Sequence, residues 1–377
     1  MFKSNLNIFA LGIALVFCLN LFHFWGCQEK DNQDPCEGMP IDSCLVDTCK
    51  TDSCLGDTAA VFGEWKSLGL VGENILSVSI DPKRPWIIFA GSQFDFSSGH
   101  YGKLFKSTNY GHSWDTLIVG QFGWNFRDIV IDPVDPNIIY TASGGYGANT
   151  CILKSTNGGN TWQEMSNGIF LDGETWVADI SLNPHNTNVL YGYATGYTNA
   201  ALYKSTDGAF TWSNATYNND FRAFGALTFD PFDIHNIYIG AGSGKVYKST
   251  NDGLTWIKLD SIPTSDGVGR IIVLQPSCFL VGVWNSGLFR STDAGFTWQH
   301  ISSNLSDPLY IPSLQIDPTN SMTLYGTALY EDYKSNNGGY VWTILANNQE
   351  FKVLKAIDNS GAKLYGINNG LFVFRIK

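Results

Sequence analysis

From residue 62 onward the apolar positions come in short runs, and the runs recur in phase. "ILSVSIDP" ends at Pro82, "FRDIVIDP" at Pro133, "VADISLNP" at Pro184, "FGALTFDP" at Pro231, "GRIIVLQP" at Pro276 and "IPSLQIDP" at Pro318. "FKVLKAIDN" at 351–359 is a seventh copy that lacks the proline. A second apolar run follows each one, as in "IIFAGS", "IIYTAS", "VLYGYA" and "KLYGIN". β-Branched and aromatic residues in these runs, with Gly, Asn and Asp between them, predict short strands joined by tight turns. No stretch of this region has a helical period of useful length.

A third pattern keeps the same phase. "STNYGHSW", "STNGGNTW", "STDGAFTW", "STNDGLTW", "STDAGFTW" and "SNNGGYVW" start at residues 107, 155, 205, 249, 291 and 335. Repeats spaced by some forty to fifty residues indicate a propeller, a solenoid or an array. Each unit reads as four strands: A ends in Asp-Pro in most copies, B is the second run, C resembles "GLFRS", and D begins at the tryptophan. The Ser and the third-position residue (Asn109, Asn157, Asp207, Asn251, Asp293 and Asn337) are expected to bond to the backbone of the C–D turn. Gly at the fifth position permits a left-handed backbone. Ala209 takes its place in the third copy, so that turn is expected to be strained or shaped by Gly208. Trp114, Trp162, Trp212, Trp256, Trp298 and Trp342 are expected to pack between neighbouring strands, where truncation to Ala typically costs ~3–5 kcal/mol.

Seven A strands stand against six copies of the eight-residue motif. The chain ends "NNGLFVFRIK", which matches a strand C and stops where a seventh motif would begin. "FGEWKSLGL" near the start matches a strand D, with Trp65 in the tryptophan position. The expected fold is therefore all-β: a single seven-bladed β-propeller of four-stranded blades over residues 62–377. Its last blade is closed by residues 62–70 beside 370–376, which removes exposed sheet edges.

Composition changes the picture only in part. Formal net charge is −11 and charged residues make up 15% of the chain. Nucleic-acid binding needs a positive surface and is excluded as a leading class. Residues 1–26 have the layout of an export signal, with the uncharged run Ile8–Trp25 followed by Gly26-Cys27. A small residue before Cys resembles a bacterial lipobox, with Cys27 as the lipidated residue. The expected location is the outer membrane or cell surface of a Gram-negative bacterium, and anchoring by an uncleaved N-terminal helix is the alternative. Residues 27–61 form an acidic linker with Cys36, Cys44, Cys49 and Cys54 as disulfide candidates. Cys151 and Cys278 are expected to be free, buried thiols.

The eight-residue motif resembles the Asp-box, or BNR repeat, S-x-D-x-G-x-x-W. This superfamily includes sialidases, sortilin-like receptors, the photosystem II assembly factor and xyloglucanase-type enzymes, the last with two propellers clasping a glucan. The resemblance implies that the boxes build the scaffold and that ligands bind on the opposite, upper face, formed by the D–A and B–C loops. Those loops carry Trp124, Trp176, Phe96 and Tyr101. Arg127, Arg222 and Arg270 fall at or just before strand A in blades 2, 4 and 5, where they could grip a carboxylate. Tyr310 precedes strand A of blade 6. Sialidases have six blades and an F/Y-R-I-P motif, and "FRDI" and "FRAF" echo it only partly. Asp172, Glu174, Asp220 and Glu331 are the candidate carboxylates for glycoside cleavage, which needs two facing a cleft. Asp95, Asp266 and Asp332 share the same expected loops. No cofactor and no metal site is expected.

The expected function is a monomeric, non-catalytic envelope lipoprotein. It would bind a protein or carbohydrate on its upper face and touch the membrane through its lipid alone. The alternative is a glycoside hydrolase using that same face.

Overall fold

The runs of alternating and apolar residues fold as the repeat requires. The computed structural model describes residues 64–377 other than 96, 98, 121–122, 145–151, 171–174, 197–199, 217–225, 302–304, 306–312, 329–330, 348–352, 369 and 377. Seven four-stranded antiparallel sheets form a ring, a seven-bladed β-propeller. Blade 1 runs Ile75–Ile80, Ile88–Ser92, Lys103–Ser107 and Asp115–Val119, and blades 2 to 6 repeat this order. Strand B is buried along its whole length in blades 1, 2 and 4. This is why B reads as a continuous apolar run, whereas the outer strand D is exposed. The signal-like segment, Cys27 and the linker cysteines lie outside the described residues. So does Cys151, while Cys278 is a buried free thiol.

The closing strand behaves as the sequence implies. Trp65–Ser67 completes blade 7 by pairing antiparallel with Leu371–Arg375, Trp65 opposite Phe374 and Ser67 opposite Phe372. The Trp65 ring sits 5.3 Å from that of Phe374. Its indole N–H donates to Asp332 Oδ2 of blade 6 at 2.7 Å. Asp332 is therefore a buried anchor on strand C of blade 6, not a loop acid.

Each repeated motif folds its own turn. Ser107 Oγ accepts the N–H of Asn109 at 3.2 Å and of Gly111 at 2.8 Å, and Asn109 Oδ1 accepts that of Ser113 at 2.9 Å. The same bonds recur in the other five copies, for instance around Asp207 and Asp293. The left-handed conformation occupies the fourth position as well as the fifth. Tyr110, Asp252 and Ala294 adopt it without being glycine, and Ala209 has φ +76° beside Gly208 at +70°. Strand D begins one residue after the tryptophan rather than at it. The tryptophans reach toward the preceding blade. Trp114 donates to Leu68 O at 2.8 Å, Trp212 to Met165 O at 2.7 Å and Trp298 to Asp260 O at 2.8 Å. Trp212 joins Tyr140, Ile152 and Met165 of blade 2 to Val177, Leu190 and Tyr203 of blade 3 in one core cluster.

A basic residue just before the motif makes a further link. Lys106, Lys154 and Lys204 each cross to the next blade and donate to the fourth-position carbonyl of its motif, at 2.7, 2.8 and 2.5 Å. Arg290 donates likewise to Gly338 O.

Candidate functional site

Strand A lines the ring's interior and carries the site. It is bulged in blades 1, 2, 3, 5 and 7, between Ile75/Ser77, Phe126/Asp128, Val177/Asp179, Val268/Arg270 and Leu354/Ala356. A bulge adds one residue and re-aims the side chains beside it. Ser77, Asp128 and Asp179 hold equivalent positions, each five residues before the strand's proline. Ser77 Oγ donates to Phe126 O of blade 2 at 2.9 Å. Asp128 makes the corresponding link onward: its Oδ2 accepts the N–H of Ile180 in blade 3 at 2.9 Å, and its Oδ1 accepts that of Ile129 at 2.9 Å.

The Asp128 carboxyl also faces the charge of Asp179 in the next blade. A like charge nearby disfavours the ionised form of a carboxyl. Asp128 keeps part of its surface exposed while its carboxyl end is enclosed by protein. That desolvation is the chief reason its pKa stands well above the ordinary carboxylate range, and the charge of Asp179 adds to it. The two backbone N–H donors pull the other way without cancelling the effect. Among the described residues Asp128 is the one carboxyl resolved as raised. The sequence signal was present, since an acid stands at the same offset from proline in two successive repeats, but alternation made both positions look like ordinary strand residues.

Arg127 precedes Asp128 in strand A of blade 2. Its guanidinium stands 5.1 Å over the Trp176 ring. Its Nε is buried without an acceptor, and burial lowers its pKa. Trp124 packs edge-on against Phe126 at 6.3 Å, so it serves the blade core as much as the surface. Tyr101 is exposed and rests on buried Phe94, with ring centroids 5.8 Å apart. Arg270 is exposed on blade 5, apart from Arg127. Glu331 lies in strand C of blade 6, not on a loop, and its carboxylate accepts the Tyr333 hydroxyl. Phe96, Arg222, Tyr310, Asp172, Glu174 and Asp220 lie outside the described residues. One residue escaped the sequence reading altogether: Trp284, in the B–C turn of blade 5, is 49% exposed. Its signal was a tryptophan outside the repeated motif, in "WNSG".

Comparison with known proteins adds to this geometry. No protein-family model matches the chain. It is 26% identical over 273 residues to the xyloglucanase Xgh74A of Acetivibrio thermocellus, covering 61% of this chain and 32% of that protein. It is 26% identical over 301 residues to a xyloglucanase of Hypocrea jecorina, covering 74% of this chain and 32% of that protein. The chain thus spans about a third of the length of these curated relatives. Among solved structures, the GH74 xyloglucanase of Xanthomonas campestris superposes with a TM-score of 0.65 at 17% identity, over 83% of this chain and 54% of that one. YCF48 of Cyanidioschyzon merolae superposes with a TM-score of 0.59 at 15% identity, over 84% of this chain and 99% of that one. At these identities the structures show the shared fold alone. The sequence relatives correct the expectation of a non-catalytic binding protein: they are named as xyloglucanases, and they favour the hydrolase alternative.

Proposed function

We propose that this chain is a glycoside hydrolase acting on a polysaccharide of the xyloglucan class, with its site at the upper ends of the A strands of blades 2 and 3. The observation that carries the reading is the breadth of the sequence likeness to xyloglucanases, which extends over 61% and 74% of the chain rather than one repeat. The chemistry of the site is consistent with it. Glycoside cleavage needs a carboxylic acid that is still protonated near neutral pH, so that it can give its proton to the leaving oxygen. Asp128, whose pKa is raised by burial and by the charge of Asp179, is the described carboxyl shifted in that direction. Loss of its proton leaves a carboxylate already accepting the Ile129 and Ile180 N–H groups, which stabilise the new charge.

Asp179 acts on Asp128 through its charge, so this reading does not make it the second catalytic group, which stands roughly 5–9.5 Å from the acid. Its role in this reading is to hold the proton on Asp128. The second carboxylate would come from Asp172, Glu174 or Asp220. Arg127 on Trp176 gives a flat, cationic wall against which a sugar could be oriented. Export as a lipoprotein through Cys27 would place the site where a polymer too large to cross a membrane is met. Incubating the full chain with xyloglucan and following new reducing ends tests the reading. Release supports it, and no release from xyloglucan or other β-glucans overturns it.

A further inference from the structure

Away from that site, the top of blade 5 presents an arrangement that the proposed reaction does not use. Trp284 is alone among the described tryptophans in being exposed. It occupies a tight turn between strand B (Cys278–Val283) and strand C (Gly287–Ser291), held by left-handed Asn285 and Gly287. Its backbone N–H donates to Gly267 O at 3.0 Å. The indole lies against residues without side chains: a Cβ on Gly269 would come within 2.6 Å of Nε1, and one on Gly267 within 3.6 Å of Cδ1. Glycine at 269 is therefore needed for the ring to lie down on this backbone. A hydrophobic ring held in place yet half open to solvent is not explained by core packing.

A hydrogen-bonded polar group is built from residues of this turn and of the loop it is bonded to. Asp266 Oδ2 accepts the Ser286 hydroxyl at 2.5 Å and that of Thr264 at 3.4 Å, and the two hydroxyls are themselves 2.8 Å apart. The Asp266 N–H donates to Thr264 Oγ1 at 3.0 Å, and its carbonyl accepts Gly244 N–H at 2.7 Å. Asp266 Oδ1 takes no hydrogen bond among the described residues, so a fixed acceptor stands ready. Arg270 lies opposite Gly282, two residues before Trp284, and is exposed.

We infer that Trp284, with Asp266 and Arg270 at its rim, is a second saccharide-binding platform on blade 5, taking a pyranose ring of a β-linked glucan. Such a ring carries its hydroxyls equatorially and shows axial C–H bonds on its faces. It can therefore stack on an indole while its edge hydroxyls donate to a carboxylate such as Asp266 and accept from Arg270. The inference rests on the polysaccharide reading above, and it adds a hold on the polymer three blades along from the proposed acid.

Affinity electrophoresis of the full chain through gels containing soluble xyloglucan tests it, with acrylamide quenching of tryptophan fluorescence as a second readout. We expect Trp284→Ala to weaken retention at least tenfold and Asp266→Asn to weaken it severalfold. Xyloglucan oligosaccharide should protect the wild type from quenching and leave Trp284→Phe unchanged, since that variant keeps a ring to support the turn but lacks the exposed indole. Wild-type retention with equal retention of Trp284→Ala overturns the platform and leaves the hydrolase reading intact. If no β-glucan retains the wild type and none alters its quenching, the platform is overturned, and reducing-end release then decides the hydrolase reading separately.

Discussion

At the residue scale, the chain's chemistry turns on where side chains are forced into costly states. The pKa of Asp128 is raised by its enclosed carboxyl and by the charge of Asp179. A carboxyl with a raised folded pKa contributes stability that is fully present below its unfolded value of about 4 and is lost as pH rises through the folded value. Asp179→Asn removes the neighbouring charge and supplies an amide that can donate to ionised Asp128. We expect it to raise stability at pH 8 relative to pH 5 by about 1–2 kcal/mol over wild type, measured by urea unfolding at both pH values. It should also move the alkaline limb of the activity profile to lower pH. Backbone strain gives a second prediction. Gly253 has φ +75° and its absent Cβ would fall 2.2 Å from the Tyr191 hydroxyl oxygen. Gly253→Ala should cost at least about 2 kcal/mol, since the left-handed backbone and the collision both oppose it. An unchanged urea midpoint would contradict this account of the turn. The fifth-position glycine was legible from the sequence. The left-handed fourth position was not, because Tyr110 and Ala294 are residues that rarely adopt it.

At the scale of the element, the repeated motif is a turn that also fastens blades together. Its hydroxyl and carboxyl or amide groups were readable as turn chemistry, because Ser, Asn and Asp bond to nearby backbone in a way that spacing reveals. The basic residue before it was not. A Lys at a strand end looks like a solvated charge, and only the ring brings Lys154 to Gly208 O in the following blade. Lys154 is 8% exposed, and burial lowers its pKa. Lys154→Met should cost about 1–3 kcal/mol by leaving that carbonyl only the long bond from the Tyr140 hydroxyl, read as a shift in urea midpoint with no change of fold by circular dichroism. The bulges were similarly hidden. Alternation fixes which face a residue occupies, and one inserted residue resets it without altering composition, so Asp128 and Asp179 passed as ordinary strand positions.

At the scale of the whole molecule, seven sheets, their order and the closure were all legible, because the phase of three patterns and the mismatch of seven A strands with six motifs leave one arrangement. Closure predicts that deleting residues 371–377 removes strand C of blade 7 and strands Trp65–Ser67 without a partner. That truncation should abolish a cooperative melt, and a wild-type-like melt would contradict the closing role. Trp65→Phe is the milder test. It removes the indole donor to buried Asp332 and should cost about 1–3 kcal/mol. The ligand was not legible, since the same scaffold serves many purposes and its repeats carry architecture rather than chemistry. The measurement that tests the central claim most directly is the rate of reducing-end release from xyloglucan by the full chain and by Asp128→Asn, with melts recorded for both. The account predicts release by wild type and a rate at least about 100-fold lower in a folded variant, the usual contribution of a general acid. Release unchanged by the substitution would contradict the acid, and the absence of release by wild type would contradict the function.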